Sequence, residues 1–354
     1  MEYNRLTGRL SIILVTWNSA PFLPRCLAGI TGQSWPQSWP QSSPDVEIIV
    51  VDNASADGSA TIIRNALPQA RLIVNDENRG FAAGVNQGVR AATGHFVLLC
   101  NPDAYLEPDY ATRLIAALEE AGSSFGMAGG KLFRGEGGEI RRTDVIDTKG
   151  IRMTRSGRHF DIGQGRRDGD DDRGLIRLPA PQQDAKSSKG QPLFECFGVS
   201  GAAPLYRRAF IDDVTMADEL LDEDFFAYRE DADLSWRGQL FGWRALHVPD
   251  AIGVHVRTVT PARRRQLPAS INMHSVKNRF LLRLKNEGRY LALRNGVFEI
   301  TRDLVAIGAS LTIERTSLPA FTWLWKNRRR MLAKRREIQR RRRVPDRELA
   351  KWFQ

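Results

Sequence analysis

The stretch His95-Phe-Val-Leu-Leu-Cys-Asn-Pro-Asp103 decides the fold of this 354-residue chain. Its apolar part, Phe96–Cys100, predicts a buried strand. Pro102 cannot continue a central strand because it lacks a backbone N–H, and it holds Asn101 extended. Asp103 is therefore expected just past the carboxyl end of a buried strand, where open α/β sheets bind ligands. A single aspartate at this position could equally begin a turn or cap a helix.

Strands and helices alternate about four times in the first half of the chain. Apolar runs at 10–15, 46–51, 70–74 and 96–100 predict strands, and a helical pattern follows each of them. This alternation predicts an α/β fold with a mostly parallel sheet covered by helices on both faces. The glycine fingerprint of dinucleotide-binding domains does not follow the first strand, which argues against NAD or FAD as a ligand.

The composition is ordinary for a globular protein, but the charge is uneven. The formal net charge is +11, and residues 326–354 alone contain 13 Lys and Arg against 3 Asp and Glu. The rest of the chain is nearly neutral, which makes nucleic-acid binding by the main fold unlikely on physical grounds. The basic segment follows the aromatic residues of 321–325, and this combination predicts contact with an anionic membrane surface. A solvated helical extension is the alternative.

The cysteines and the apolar runs bear on the compartment. Cys26, Cys100 and Cys196 lie far apart in apolar contexts, so we expect reduced, buried thiols in a cytoplasmic protein. The first apolar run is too short for a signal peptide. No stretch reaches about 18 consecutive apolar residues, so we expect no membrane-spanning helix.

Polar residues with open roles follow the other predicted elements. Asp52 ends the second strand, where it could accept hydrogen bonds from a ribose or form a turn that caps the next helix. Gly80 permits a turn at the amino end of a helix, which suits a phosphate or close packing. An acidic and aromatic cluster at 222–237 contains Asp231 near a helix start, where it could cap or transfer a proton. His255 follows a later strand, as a ligand or as a structural histidine.

Taken together and in order, these motifs resemble family 2 glycosyltransferases of the GT-A fold, and in particular the bacterial rhamnosyltransferase-like branch. The resemblance spans about residues 10–290. Five motifs carry it: ILVTWNS at 13–19, IVVDNAS at 49–55, NRGF at 78–81 with Asn86, NPD at 101–103, and FFAYREDADL at 225–234 followed by His255.

The resemblance implies a nucleotide-sugar site on the first three motifs. Thr16, Asn18 and Asp52 would hold the base and the ribose. Gly80 and Asn86 would line the pocket for the nucleotide sugar. The expected donor is a nucleoside-diphosphate sugar, with dTDP-rhamnose favoured and a UDP-sugar possible.

The remaining motifs imply the reacting groups. Asp103 matches the last aspartate of the family's DxD motif and would bind a divalent cation, Mg²⁺ or Mn²⁺, with His255 as a second protein ligand. Asn101 replaces the first aspartate of that motif and could still contact the ribose. Asp231 matches the catalytic base of the family.

These roles imply an inverting transferase that moves rhamnose or a similar hexose to a hydroxyl by metal-assisted single displacement. The expected acceptor is lipid-linked or a surface glycan, with the protein peripheral at the inner face of the cell membrane. A nucleotidyltransferase is the runner-up, although 16–24 lack the basic, glycine-rich segment that it needs. A non-catalytic membrane- or nucleic-acid-binding protein on the same fold is the other alternative.

The pattern along the chain predicts three regions. A GT-A domain is expected at 8–260, with loop insertions at 34–44 and 134–192, the second of them a partly mobile flap near the active site. A helical region is expected at 261–325, and a basic helical tail at 326–354.

Overall fold

The computed structural model describes residues 10–35, 46–136, 141–179, 191–257 and 269–354. Within these ranges the chain forms 13 strands and ten α-helices. The strands are β1 (Leu10–Thr16), β2 (Val46–Asp52), β3 (Arg71–Val74), β4 (Phe96–Cys100), β5 (Ala104–Leu106), β6 (Phe125–Glu136), β7 (Arg141–Thr148), β8 (Ile151–Met153), β9 (His159–Asp161), β10 (Ile176–Arg177), β11 (Phe194–Cys196), β12 (Leu205–Arg207) and β13 (Arg244–His255). The helices are α1 (Leu23–Thr31), α2 (Ser59–Ala66), α3 (Phe81–Ala91), α4 (Tyr110–Ala121), α5 (Arg208–Val214), α6 (Glu230–Leu240), α7 (Ala269–Asn286), α8 (Arg289–Thr312), α9 (Pro319–Arg341) and α10 (Asp346–Leu349).

The main sheet has the order β10-β11-β13-β6-β12-β4-β1-β2-β3. In addition, β5 pairs with β13, and β7 pairs with β6. The strands β1 to β4 from the first half of the chain pair in parallel, and β12 runs antiparallel between β4 and β6. The predicted α/β fold with a mostly parallel central sheet is confirmed. Because β1 lies between β2 and β4, the chain order reverses at β1 and β4, and ligands bind beside such a reversal.

Helices cover both faces of this sheet, as alternating side chains of β1 show. Ile13 and Val15 pack into one core with α3 and α6, whereas Ile12 and Leu14 pack into a second core with α1, α2 and α4. Strand residues alternate between the two faces, so one apolar run supplies both cores. The carboxyl ends of β1 and β4 are thereby held rigidly at one edge.

The described part of the segment predicted to be a loop insertion at 134–192 contains four strands separated by turns. It contains β7 to β10, and Ile151 and Met153 of β8 are buried. These strands are short and rich in charged residues, so their apolar pattern is weak, and pairing with β6, β9 and β11 stabilises them. Residues 137–140 and 180–190 of this insertion, and most of the one predicted at 34–44, lie outside the described residues.

The basic tail predicted at 326–354 is not a separate segment. The predicted boundary with 261–325 falls inside α9, which continues to Arg341. Lys334 of this helix lies 2.6 Å from a carboxylate oxygen of Asp222. Phe353 is buried among aromatic rings of the α/β core. The tail therefore packs onto the α/β unit, and part of its positive charge is neutralised by that unit.

Cys26, Cys100 and Cys196 are buried free thiols, as the sequence predicted. Among the helices of the described ranges, none is both long enough and apolar enough to cross a membrane.

Candidate active site

A cavity of about 600 Å³ opens beside the carboxyl end of β4. It brings together Asn101, Asp103, Asp231 and His255, which come from three distant parts of the chain. Its wall also carries Arg158, His159, Asp161, Arg229, Glu230 and Arg257. Acidic and basic groups thus face the same space, an arrangement that can bind a charged ligand and move a proton.

The pairing of β5 with β13 places Asp103 beside His255. Ala104 is the register partner of His255, and the Asp103 carbonyl accepts a hydrogen bond from the N–H of Val256 at 3.0 Å. The Nε2 atom of His255 lies 3.3 Å from Oδ1 of Asp103. Two residues that are 152 positions apart in sequence therefore form one polar pair in the cavity.

Asp147 of β7 holds His255 from the other side. Its carboxylate is fully buried, lies 2.8 Å from His255 Nδ1, and accepts hydrogen bonds from Arg257 at 2.8 and 3.2 Å. Arg257 also donates to Asp161 at 2.7 Å. Although burial acts against it, the histidine and the arginine hold the pKa of Asp147 well below its usual range. The imidazole orientation is thus fixed by a charged partner.

Asp103 and His255 fit the protein side of a divalent-cation site. Two ligand atoms side by side on a metal with ordinary bond lengths lie about 3 Å apart, and the observed separation is 3.3 Å. Burial disfavours a charged His255, but Asp103 and Asp147 outweigh it and raise its pKa to about 10, so the place favours positive charge. In the described part of the chain no three His, Cys, Asp or Glu side chains converge as a metal site. Two protein ligands plus substrate phosphates are typical for Mg²⁺.

Asp231 lies in the first turn of α6 and faces the same cavity. Its Oδ2 accepts a hydrogen bond from the N–H of Gly201 at 3.0 Å, and Oδ1 accepts one from the N–H of Ala232 at 2.7 Å. Burial raises the pKa of Asp231, and the Gly201 N–H partly opposes this shift. The carboxylate is held in a fixed orientation with increased basicity, which is what a general base requires.

Glu230 precedes Asp231 in α6 and is also buried. Burial and the charge of Asp231 raise the pKa of Glu230 to about 8. Its Oε2 atom is buried and makes no hydrogen bond. Two adjacent carboxyl groups with raised pKa values thus line the cavity, and perturbed carboxyl groups of this kind cluster at functional sites.

The loop 225–229, which delivers Asp231, is held in a strained conformation by α7. Phe226, Tyr228 and Arg229 have φ angles of 65°, 71° and 73°, in the left-handed region that side chains disfavour. Asn278 of α7 donates hydrogen bonds to three carbonyls of this loop at 2.8–2.9 Å. Such strain persists only where surrounding contacts determine the conformation. The C-terminal helices are therefore part of the site's framework.

Thr16, Asn18 and Asp52 form a second polar cluster at the carboxyl ends of β1 and β2. Thr16 and Asp52 are register partners, each only 1% exposed, and each carries a buried oxygen without a hydrogen-bond partner, Oγ1 and Oδ1. The exposed Asn18 accepts a hydrogen bond from the N–H of Ala56 at 2.8 Å. Buried unpaired oxygens are rare, so this cluster has capacity for hydrogen-bond donors of a ligand.

Gly80 and Asn86, predicted to line the nucleotide-sugar pocket, are not among the residues that line the cavity. The amide of Asn86 is buried and bonds to the backbone of Leu221 at 2.8 and 3.0 Å, so its polar atoms are occupied by packing. Gly80 has φ +86°, and a Cβ there would meet the ring and the carbonyl of Phe226 at 2.6 Å. Both residues support the neighbouring chain, and Phe81 is the α3 residue that reaches the cavity.

Sequence reasoning missed Asp147 and Arg257. Arg257 stands two residues after His255, so strand alternation could have placed it on the same side. Asp147 is preceded by Val145 and Ile146 but lies in a stretch that reads as a loop. Its position against β13 depends on pairing through β6, which no local pattern reveals.

Several known proteins that are similar to this chain are named as glycosyltransferases. Residues 11–176 match the model of the family described as Glycosyl transferase family 2. The N-acetylglucosaminyl-diphospho-decaprenol L-rhamnosyltransferase of Mycobacterium tuberculosis is 26% identical over 267 residues, which cover 71% of this chain and 76% of that protein. The putative glycosyltransferase EpsH of Bacillus subtilis is 27% identical over 111 residues, covering 31% of this chain and 30% of EpsH.

Solved structures share the fold at lower identity. The mannosyltransferase PcManGT from Pyrobaculum calidifontis, solved with GDP-Man and Mn²⁺, matches with a TM-score of 0.50 and 18% identity over 94% of this chain and 84% of that chain. GalNAc-T7, solved with UDP, GalNAc and Mn²⁺, matches with a TM-score of 0.56 and 13% identity over 80% of this chain and 49% of that chain. The chain therefore has the GT-A fold of these solved glycosyltransferases, and residues 11–176 match the family 2 model.

Proposed function

We propose that the chain is an inverting glycosyltransferase that moves rhamnose or a similar hexose from a nucleoside-diphosphate sugar to a hydroxyl of a lipid-linked or surface-glycan acceptor. The observation that carries the proposal is the cavity, in which Asp103 and His255 face the same space as Asp231. The relative named as a rhamnosyltransferase acting on a decaprenol-linked sugar supports both the sugar and the acceptor. A lipid-linked acceptor implies work at the inner face of the cell membrane.

The donor is proposed to lie across the carboxyl ends of β1, β2 and β4. Thr16 and Asp52 hold the nucleoside through their unpaired buried oxygens, and Asn18 binds it from the exposed side of the same cluster. Asn101 has a buried Oδ1 atom without a partner, which suits a contact with the ribose. dTDP-rhamnose is the favoured donor, and UDP-sugars are the alternative. The neighbours solved with GDP-Man or UDP bind nucleotides on the same fold.

Asp103 and His255 are proposed to hold a divalent cation, Mg²⁺ or Mn²⁺. Bound there, the cation would neutralise negative charge on the departing nucleoside diphosphate. Asp147 keeps His255 Nδ1 engaged, so that Nε2 points to Asp103 and the cavity. Arg257 balances the charge of Asp147 and Asp161 behind this pair.

Asp231 is proposed to act as the catalytic base. The acceptor oxygen forms a bond to the anomeric carbon while the bond from that carbon to the diphosphate oxygen breaks, and Asp231 takes the hydroxyl proton. One displacement without an enzyme nucleophile inverts the anomeric configuration. The hydrogen bonds from Gly201 and Ala232 keep the carboxylate aimed during the transfer.

A donor panel with product analysis tests this proposal. The full-length protein is incubated with Mg²⁺ or Mn²⁺, a polyprenyl-diphosphate-linked N-acetylglucosamine acceptor, and dTDP-, UDP- or GDP-sugars in turn. We expect turnover of dTDP-rhamnose and a product whose anomeric configuration, read by NMR, is opposite to that of the donor. A retained configuration would contradict the single displacement, and turnover of another donor alone would contradict the proposed sugar.

A further inference from the structure

Helix α8 exposes an apolar side to solvent and turns a mostly polar side toward the protein. Six aliphatic side chains spaced three or four residues apart form one continuous stripe on its solvent side. They are Leu293, Val297, Ile300, Leu304, Ile307 and Leu311, exposed by 86%, 78%, 63%, 64%, 36% and 56%. We call them the α8 stripe. The 24-residue helix is about 36 Å long, so the stripe is far larger than the scattered apolar residues of ordinary surfaces.

The opposite side of α8 is mostly polar and is fixed to the protein. Asn295, Glu299 and Ser310 are at most 5% exposed. Arg283 of α7 lies 3.6 Å from Glu299 and is also paired with Asp303 of α8. Rotating the helix to bury the α8 stripe would break these ion pairs and expose Leu291, which is fully buried. The helix is therefore held with its apolar side outward.

The charges around the stripe have one sign. Between residues 289 and 329, every charged residue that is mostly exposed is an arginine or a lysine. They are Arg289, Arg294, Arg315, Lys326, Arg328 and Arg329. The acidic residues of this range, Glu299, Asp303 and Glu314, are buried or half-buried. A surface that meets this face is thus expected to be apolar and anionic.

A basic pocket of about 480 Å³ lies at the first turn of α8. Four arginines line it, and the single acidic residue in its lining, Asp346, is 4% exposed. The arginines are Arg289, Arg335, Arg342 and Arg347. Asp346 already pairs with Arg342 at 3.0 Å, so the pocket keeps an excess of positive charge at the end of the α8 stripe. Its size and charge suit a phosphate headgroup.

We propose that the α8 stripe lies in the interface of a bilayer containing anionic lipids, with the basic pocket holding a headgroup phosphate. A helix of this length with aliphatic residues on one side and arginines at its ends is suited to lie parallel to the membrane plane. A second copy of the chain fits less well, because a two-fold contact along the stripe would bring the same arginines of both copies together. This inference concerns docking and does not rest on the transfer reaction.

The proposal also changes which part of the chain meets the membrane. The sequence directed attention to the basic segment at 326–354, yet several of its cations are committed to internal carboxylates, including Lys334 and Arg343. The exposed apolar area that lipid can cover lies on α8 instead. Because α7 contacts both α8 through Arg283 and the 225–229 loop through Asn278, docking would fix the orientation of the cavity toward the membrane.

Vesicle flotation of the full-length protein tests the stripe. Wild type and Leu293→Gln/Leu304→Gln are mixed with phosphatidylcholine vesicles with or without phosphatidylglycerol, in the absence of any nucleotide sugar. We expect wild type to float with anionic vesicles, and the double variant to bind at least about tenfold more weakly, because two exposed leucines lose their burial in lipid. Leu332→Gln on α9, which is 45% exposed and off the stripe, is the matched control and should bind like wild type.

Two further variants test the pocket. Arg289→Gln and Arg347→Gln should each weaken binding to anionic vesicles about fivefold and leave binding to neutral vesicles unchanged. Arg64→Gln, an exposed arginine on α2, should have no effect. All substituted side chains are on the surface, and an unchanged melting temperature verifies folding.

Three results would overturn the proposal. Wild type that does not float with anionic vesicles would remove lipid as the occupant. Equal losses in Leu332→Gln and the double variant would show that the stripe is not specific. A wild-type dimer that light scattering shows to become monomeric in the double variant, without vesicle binding, would assign the stripe to a second copy. None of these outcomes depends on glycosyl transfer, which is scored separately with a water-soluble acceptor.

Discussion

Asp147→Asn removes the charge that holds His255 while preserving size and one acceptor oxygen. In the wild-type protein the fully buried carboxylate contacts His255 Nδ1 at 2.8 Å and Arg257 at 2.8 and 3.2 Å. The amide has a single acceptor oxygen, so its N–H₂ group either takes the place of Oδ1 and faces Nε of Arg257, or takes the place of Oδ2 and faces Nδ1 of His255. The variant is therefore expected to loosen the imidazole that faces Asp103.

The expected size of this effect follows from the geometry. Loss of the partner that orients a metal-bound histidine typically lowers metal affinity 10- to 100-fold, and His255 would be one of only two protein ligands here. Breaking a buried ion pair also costs about 3 kcal/mol of stability. Part of that cost is avoided because Arg257 keeps its contact with Asp161 at 2.7 Å. We expect a folded variant with weakened metal binding.

The assay is a Mn²⁺ titration of donor turnover, paired with thermal unfolding. Asp147→Asn should shift the half-saturating metal concentration upward by 10- to 100-fold and recover most of its maximal rate at saturating metal. Asp144→Asn, an exposed carboxylate on the same strand that is paired with Arg167, is the control and should titrate like wild type. An unchanged metal requirement in a folded Asp147→Asn protein would refute the orienting role of Asp147.

Three further substitutions probe the buried groups. Burial raises the pKa of Glu230 to about 8. The contribution of this group to the free energy of unfolding is fully present below the ordinary carboxyl pKa and is lost as the pH rises through about 8. Glu230→Gln should therefore have the melting temperature of wild type near pH 4 and a higher melting temperature than wild type above about pH 8. Lys285→Met removes a fully buried cation from two buried aspartates, and it should lower the free energy of unfolding, measured in urea, by about 3–5 kcal/mol. The control Lys351→Met removes a half-exposed lysine and should lower the same free energy by less than about 1 kcal/mol. Gly80→Ala should reduce both stability and transfer rate, because its Cβ would strike a phenylalanine at 2.6 Å, whereas Gly58→Ala, with the same φ of +86° and open space, should lose only about 1–2 kcal/mol of stability.

The position of the site was predictable from the sequence because its markers are local. The apolar run of β4 ends at Asn101 and Pro102, and β1 and β2 end at Thr16 and Asp52 in the same way. Parallel strands align their carboxyl ends, so these residues had to lie along one edge of the sheet. His255 was predicted only through its place in the order of the motifs.

The support of the site was not predictable, because it depends on contacts between distant residues. Asp147 reaches His255 only after β7, β6 and β13 have paired. Asn86 lies in a motif that was expected to line the nucleotide-sugar pocket, yet a partner 135 positions later occupies its amide. Neither contact leaves a periodic or compositional signal in the chain.

The C-terminal helices illustrate the same limit. The sequence predicts α7 only as part of a helical region at 261–325, whereas in the structure Asn278 and Lys285 of this helix reach the 225–229 loop and Asp233. The inverted polarity of α8 cannot be recognised from periodicity, because a stripe of leucines looks the same whether it faces inward or outward. In the structure, the ion pairs of Arg283 with Glu299 and Asp303 hold the other side of α8 toward the protein.

The central claim, that Asp231 removes the acceptor proton in the cavity, is tested most directly by Asp231→Asn. The variant keeps the shape of the side chain and its place at the start of α6, so donor binding, measured by calorimetry with the nucleotide sugar and Mn²⁺, should stay within about threefold of wild type. Transfer in a single turnover should fall by at least about 100-fold, the usual contribution of a general base. A variant that binds donor and transfers sugar at the wild-type rate would contradict the account.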